Sequence, residues 1–335
     1  MKGNIKPDTI PDTPAGISIY SVTREAPHHH TGFLEILYCL HGPVTVTTRS
    51  QEVLLHEGEL VSLDPFDIHY TSADTENLIV SFYFDLTDPV FGRDDLDMLY
   101  FMCEPLAIPE SKQEELKELK RLLLTMLYFH CFPHPKLPAG PTATRFAVKI
   151  VDMMLEHFHF FDFIARYMEY SPDAKTLYES ILIYIQKNYA EKITLGKMSD
   201  TLHFNYKYLS RFFMTTSYRG FPRVVMDVRS YMSSILLLET NDNVSDIAYK
   251  VGFTSPNYYY RVFRSWTNTT PHRYRKEMRR LQAQAEENRY YDPKEKKEEL
   301  EHFILFRFAE LQVPELIDMS FIPFKGLPDA WPPDA

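Results

Sequence analysis

The chain has 335 residues, 44% of them hydrophobic and 24% charged, with three cysteines and a formal net charge of −10. That length and balance imply about two globular domains that bury their own cores, and they exclude a disordered, collagenous or disulfide-stapled chain. Cys39, Cys103 and Cys131 are scattered without a C-x-x-C pair and read as buried small hydrophobes of a reducing compartment.

The polar, Pro-rich opening through Gly16 resembles neither a secretory signal nor a transit peptide, and no apolar run approaches the ~20 residues of a membrane span. The expected location is the cytoplasm, with no membrane partner. From about Ile17 to Asp85 the sequence reads as short strands: EILYCL, PVTVTTR, QEVLLHE, ELVSLDP and LIVSFYFDL, separated by Gly, Pro or charged turns. Such close spacing predicts a small antiparallel barrel or sandwich. The period changes at Ser111, where Leu116, Leu119, Leu123 and Met126 share one helical face. A second helical stretch runs from Ala143 to Tyr170 after a Pro-rich break at Pro133 to Pro141. Both helices are apolar over more than one face, which fits local packing on the barrel and a dimer interface equally well.

The charge is unevenly spread. From Leu177 to Arg279 there are 15 Lys and Arg against 8 Asp and Glu, a net of +7 that leaves −17 for the rest. A basic segment inside an acidic chain suits a domain that meets the phosphate backbone. The same segment holds an internal near-repeat. Leu195, Met198, Leu202 and Phe204 share their spacing with Val244, Ile247, Val251 and Phe253. After one added residue, Leu209, Arg211 and Phe213 match Tyr259, Arg261 and Phe263. Each copy reads as a short helix, a tight turn and a second helix with one basic face, which is the helix-turn-helix plan. Gly252 sits where the second turn wants positive φ, and a helical stretch from Pro222 to Glu239 bridges the copies. Two bridged units could address successive major-groove faces about 34 Å apart.

On these residues the stretch from about Tyr178 to Met278 resembles the DNA-binding domain of the AraC/XylS family. DIAYKVGF (Asp246 to Phe253) and YYYRVFRSWTNTTPHRYR (Tyr258 to Arg275) lie close to that family's signature. His203, Tyr218 and Asn268 stand where the family usually has glycine. The resemblance implies base contacts from Lys207, Ser210 and Arg211 in the first unit and from Asn257, Tyr260 and Arg261 in the second. These side chains can hydrogen-bond base edges in the major groove. Thr254, Ser255 and Arg264 are expected on phosphates. Leu209, Phe213, Tyr259 and Phe263 are expected in the core. The implied partners are double-stranded DNA, a small-molecule effector, often a sugar or similar metabolite, and a second copy of the chain, with RNA polymerase a further candidate.

In the N-terminal part, His28-x-His30-x4-Glu35-x6-Gly42 with Pro65-x3-His69 partly resembles the two motifs of the cupin barrel. In metal-binding cupins His28, His30, Glu35 and His69 would hold an Fe, Mn or Zn ion. Sensor barrels of the regulator family commonly keep such histidines without a metal, so the leading expectation is an effector pocket around His28, His30, Glu35, Tyr38 and His69, without a metal or other cofactor. His29 points the other way if the run is extended. The alternative is a cupin-type metal-dependent enzyme or metal sensor fused to a DNA-binding module. The leading reading is a regulator, not an enzyme.

The expected class is therefore α+β: a cupin-like antiparallel barrel with accessory helices, then an all-α domain with two helix-turn-helix units. The expected domains are a sensor (1–110), a helical linker and candidate dimerisation region (111–174), a DNA-binding domain (175–279) and an extension (280–335). The extension alternates charge and ends Pro-rich; its sequence assigns it no role.

Overall fold

The computed structural model describes residues 3–48, 51–105, 107–133, 137–165, 173–216 and 220–311. Seven strands lead the chain: β1 (Ala15–Ser21), β2 (Phe33–His41), β3 (Val44–Thr48), β4 (Glu52–Leu55), β5 (Leu60–Leu63), β6 (His69–Ser72) and β7 (Leu78–Asp85). They form two antiparallel sheets. One has the order β5-β2-β7-β1, and the other the order β4-β3-β6.

Strand alternation divides β2 between two cores. Leu37 and Cys39 point between the sheets with Val44, Val46, Val53, Leu55 and Ile79. Leu34, Ile36, Tyr38 and Leu40 point outward into a second core built with helices. Those helices are α1 (Gln113–Cys131) and α2 (Ala139–His157). Leu119, Leu123 and Met126 of α1 meet Phe146, Ile150 and Met154 of α2 over the outer face of the sheet. Among the described residues, most apolar side chains of α1 and α2 are buried within the chain.

The α-helical half comprises α3 (Phe160–Ala165), α4 (Asp173–Asn188), α5 (Leu195–Leu202), α6 (Tyr206–Thr216), α7 (Gly220–Glu239), α8 (Val244–Lys250), α9 (Pro256–Thr267) and α10 (Pro271–Gln284). One core joins Leu177, Ile181, Met198, Leu209, Phe213 and Val225. A second joins Leu237, Ile247, Val251, Tyr259, Phe263 and Tyr274. Helix α7 contributes to both, so the bridge expected over 222–239 is one helix shared by two small bundles.

Beyond α10 the chain returns to the barrel. The two-residue strand β8 (Arg289–Tyr290) pairs with β1, placing Tyr290 opposite Tyr20 and Arg289 opposite Ser21. Helix α11 (Lys297–Glu310) then adds Leu300, Ile304 and Phe308 to the outer core. Its Arg307, 3% exposed, is neutralised by Glu57 at 2.5 Å and by Glu310. The Pro-rich end after 311, like Tyr218 and Arg219, lies outside the described residues. No helix among the described residues is long and apolar enough to cross a membrane.

Candidate functional site

Two groups of residues carry chemistry, one on the paired helix-turn-helix units and one inside the barrel. In the first unit, the Thr194 hydroxyl caps α5 by accepting from Lys197 N at 3.2 Å. The Asn205 carboxamide caps α6 by accepting from Lys207 N at 2.8 Å. These local side-chain bonds satisfy the first free amides of each helix and fix where it starts. Between the helices His203 adopts φ 55 as the left-handed C-cap, its amide donating to Ser199. In the second unit Gly252 takes the turn at φ 89, and Pro256 opens α9 with Asn268 closing it at φ 58.

The faces follow from helical period. On α6, Leu209, Phe212 and Phe213 are buried, leaving Lys207 and Arg211 exposed and Ser210 half-buried. On α9, Tyr259, Val262 and Phe263 are buried, and Asn257, Arg261 and Arg264 form an exposed polar stripe. Thr254 is exposed ahead of that stripe, and Ser255 is half-buried as the α9 N-cap.

Tyr260 lies beside Asn257 and Arg264 at the edge of that stripe, half-buried against the second unit's core and 6.0 Å from the His272 ring. The exposed aromatic is Tyr258, whose ring lies 5.3 Å from the Arg261 guanidinium carbon. A stacked guanidinium loses less freedom when it docks on a base. Its i, i+3 relation to Arg261 was the signal in the sequence.

Inside the barrel, His28 and His69 form an antiparallel bridge, and the run His28 to His30 is extended. His28 and His30 therefore share one side with His69 and Glu35, and the ligand atoms of all four lie within 4.8 Å of one another. All four side chains are at most 5% exposed. Each imidazole is oriented by its Nδ1, which donates to a backbone carbonyl: His28 to Ala26 at 2.9 Å, His30 to Ile5 at 2.5 Å and His69 to Asp67 at 2.9 Å. Because a carbonyl can only accept, these bonds put the proton on Nδ1 and turn Nε2 towards the cluster.

His30 and His69 approach the same Glu35 oxygen with Nε2 at 3.2 and 3.1 Å. The approach suits charge attraction, yet His30 Nε2 and that oxygen have no aligned hydrogen-bond partner. Burial pushes His28 down to about 4, with the neighbouring His69 adding to the effect. Burial also opposes ionisation of Glu35, but the His30 and His69 imidazoles prevail and hold its carboxyl well below the ordinary range. His69 is lowered by burial and raised more by Glu35, reaching about 9.

Tyr38 does not join this site. It lies on the opposite face of β2 from Glu35, 1% exposed in the outer core. Tyr83 takes the place expected of it: its ring lies 5.2 Å from that of His30, and its Cα is paired across the sheet with Glu35. His29 faces away, with Nε2 3.0 Å from Glu239 Oε1 on α7.

A β-barrel with a buried polar end, followed by two helix-turn-helix units on a shared helix, defines a class in which a sensing domain is joined to a DNA-binding domain. Residues 15–88 match the AraC-like ligand binding domain, and residues 198–277 match a helix-turn-helix domain. The chain is 28% identical over 137 residues to the uncharacterized HTH-type transcriptional regulator YijO of Escherichia coli K12, covering 41% of this chain and 48% of that protein. It is 22% identical over 265 residues to the regulator YdiP of the same organism, covering 78% of this chain and 85% of that one. Among solved structures it is similar to ToxT of Vibrio cholerae O395, at 15% identity and a TM-score of 0.41, covering 79% of this chain and 100% of that one. The chain spans about half the length of the curated relatives it matches first. It belongs to the AraC-type family of helix-turn-helix transcription regulators.

Proposed function

We propose that the protein is a sequence-specific, double-stranded-DNA-binding transcription regulator of the cytoplasm, acting as a homodimer and responding to a small effector bound at the polar end of its barrel. The observation that carries this reading is the pair of exposed stripes on α6 and α9, borne by two bundles that share α7. Lys207, Ser210 and Arg211, and Asn257, Tyr260 and Arg261, are assigned to base edges, with Tyr258 stacked beside Arg261. Thr254, Ser255 and Arg264 are assigned to phosphates. RNA polymerase is the partner through which bound protein would act on transcription. The effector site is His28, His30, Glu35 and His69 with Tyr83; of the effector classes the family suggests, a sugar would have to hydrogen-bond these acceptors through its hydroxyls. The matched helix-turn-helix domain and the relatives YijO and YdiP are those of transcription regulators, which supports a regulator rather than an enzyme.

The test is fluorescence-anisotropy binding to the gene's own upstream DNA and to random DNA across salt. Arg261→Ala should cost ~1–3 kcal/mol on the specific site, about 5- to 150-fold, and little on random DNA. Arg264→Ala should weaken both and reduce the salt slope by about one. Unchanged specific binding in Arg261→Ala would remove α9 from the reading.

A further inference from the structure

We propose that Met214, at the end of a row with Tyr206 and Ser210 along α6, reads the 5-methyl group of a thymine in the major groove, so that the first helix-turn-helix unit recognises its half-site through an apolar contact. The inference deepens the function proposed above and rests on it for the placement of α6 in the groove.

The repeat sets the two recognition helices in register. Leu209, Arg211 and Phe213 match Tyr259, Arg261 and Phe263, so Lys207 falls on Asn257 and Met214 falls on Arg264. Where the second unit carries a cation for phosphate, the first carries an uncharged thioether. That side chain is not packed away. Met214 is 68% exposed, more than any other exposed large hydrophobic among the described residues. Such a side chain gains free energy when a partner covers it.

Helical period decides where it sits. Residues four apart stack along one side of a helix, so Tyr206, Ser210 and Met214 form a row beside the cationic row of Lys207 and Arg211. Both rows lie away from the buried Leu209, Phe212 and Phe213. Tyr206 is 54% exposed, and Ser210 between the two larger side chains is half-buried. Serine is the smallest of the three, which leaves a recess in the middle of the row. From end to end the row rises about 12 Å, enough to follow three base steps of about 3.4 Å. The matching row on α9 is Pro256, Tyr260 and Arg264, which ends in a charge.

The groove offers such a row one complement. Its base edges present hydrogen-bond donors and acceptors, and the only apolar group among them is the thymine C5-methyl. Methionine is unbranched and polarizable, and it adapts to the position of that methyl. An uncharged thioether gains nothing from a phosphate, so the two units read their half-sites by different chemistry.

The test is anisotropy of the full chain on its upstream duplex, on the same duplex with deoxyuridine replacing thymidine at one position at a time, and on random DNA. Deoxyuridine keeps the hydrogen-bonding groups of thymidine and removes the methyl. In the wild type at least one position should lose about fourfold in affinity, the worth of one buried methyl group. Met214→Ala, with unchanged circular dichroism, should lose a similar factor on thymidine DNA. Deoxyuridine at that position should then cost it nothing further, a coupling that a merely structural role does not produce. Met214→Arg, which gives α6 the residue of its counterpart, should bind specific and random DNA more tightly and steepen the salt slope by about one. A wild type indifferent to deoxyuridine at every position would overturn the methyl contact and leave the regulator intact. An equal deoxyuridine penalty in the wild type and in Met214→Ala would assign the methyl to another side chain and overturn the role of Met214. No preference for the upstream duplex over random DNA would overturn the regulator reading on which the contact depends.

Discussion

The two helix-turn-helix units share a spacing but solve their turns differently. At the first turn the left-handed residue is His203, exposed on the surface. At the second it is Gly252, and the surroundings leave no alternative. A Cβ there would lie 2.7 Å from the Tyr189 carbonyl oxygen, 2.8 Å from that of Ala190 and 2.9 Å from Arg229 Nε. The space is filled by a clamp. Buried Arg229 of α7 donates from Nε to Tyr189 O at 2.7 Å and from Nη2 to Glu191 O at 2.6 Å, tying the loop after α4 to the second unit. A left-handed φ alone is a modest demand that histidine can meet at some cost. Close approach of another segment makes glycine obligatory.

Three substitutions test that contrast. The largest effect is expected for Gly252→Ala, which combines left-handed strain with a backbone collision and should destabilise by about 3 kcal/mol or more in chemical denaturation. A loss below about 1 kcal/mol would show that the clamp yields. Arg229→Met comes next. It leaves two carbonyls without their charged donor and should cost ~2–3 kcal/mol. If it instead matches an exposed arginine substitution, Arg229 does not join the units. The smallest effect, and the only favourable one, is expected at His203→Gly, where relief of left-handed strain should raise stability by up to about 1 kcal/mol, less the added freedom of the unfolded chain. A destabilised variant would mean that His203 makes contacts worth more than its strain.

Much of this was legible before any coordinates. The repeat set the helices of both units, because buried positions recur at helical spacing whatever packs on them. Strand alternation likewise turned His29 away from His28 and His30. The same alternation separates Glu35 from Tyr38, since residues three apart on a strand lie on opposite faces. Tyr38, expected in the pocket with Glu35, lies for that reason in the outer core.

Other features were not written locally. Strand β6, His69–Ser72, is four residues without a strong pattern and is held by β3 and by the bridge to His28. Strand β8 has two residues and exists through its pairing with β1. Neither can be read from a segment whose conformation is decided by a distant partner.

That distant pairing makes the DNA-binding half an insertion: a segment whose two ends are anchored on the same body. The Asn288 carboxamide donates to Glu25 at 2.8 Å, the Glu286 amide donates to Arg24 at 2.8 Å, and α11 seals the outer core behind them. An element tied at both ends that lets go of the barrel stays close by, at an effective concentration on the order of millimolar. Its return is then a local event rather than an encounter between separate bodies. Weak contacts suffice to govern it, and a handful of residues around His29 can act as a latch without themselves holding the molecule together.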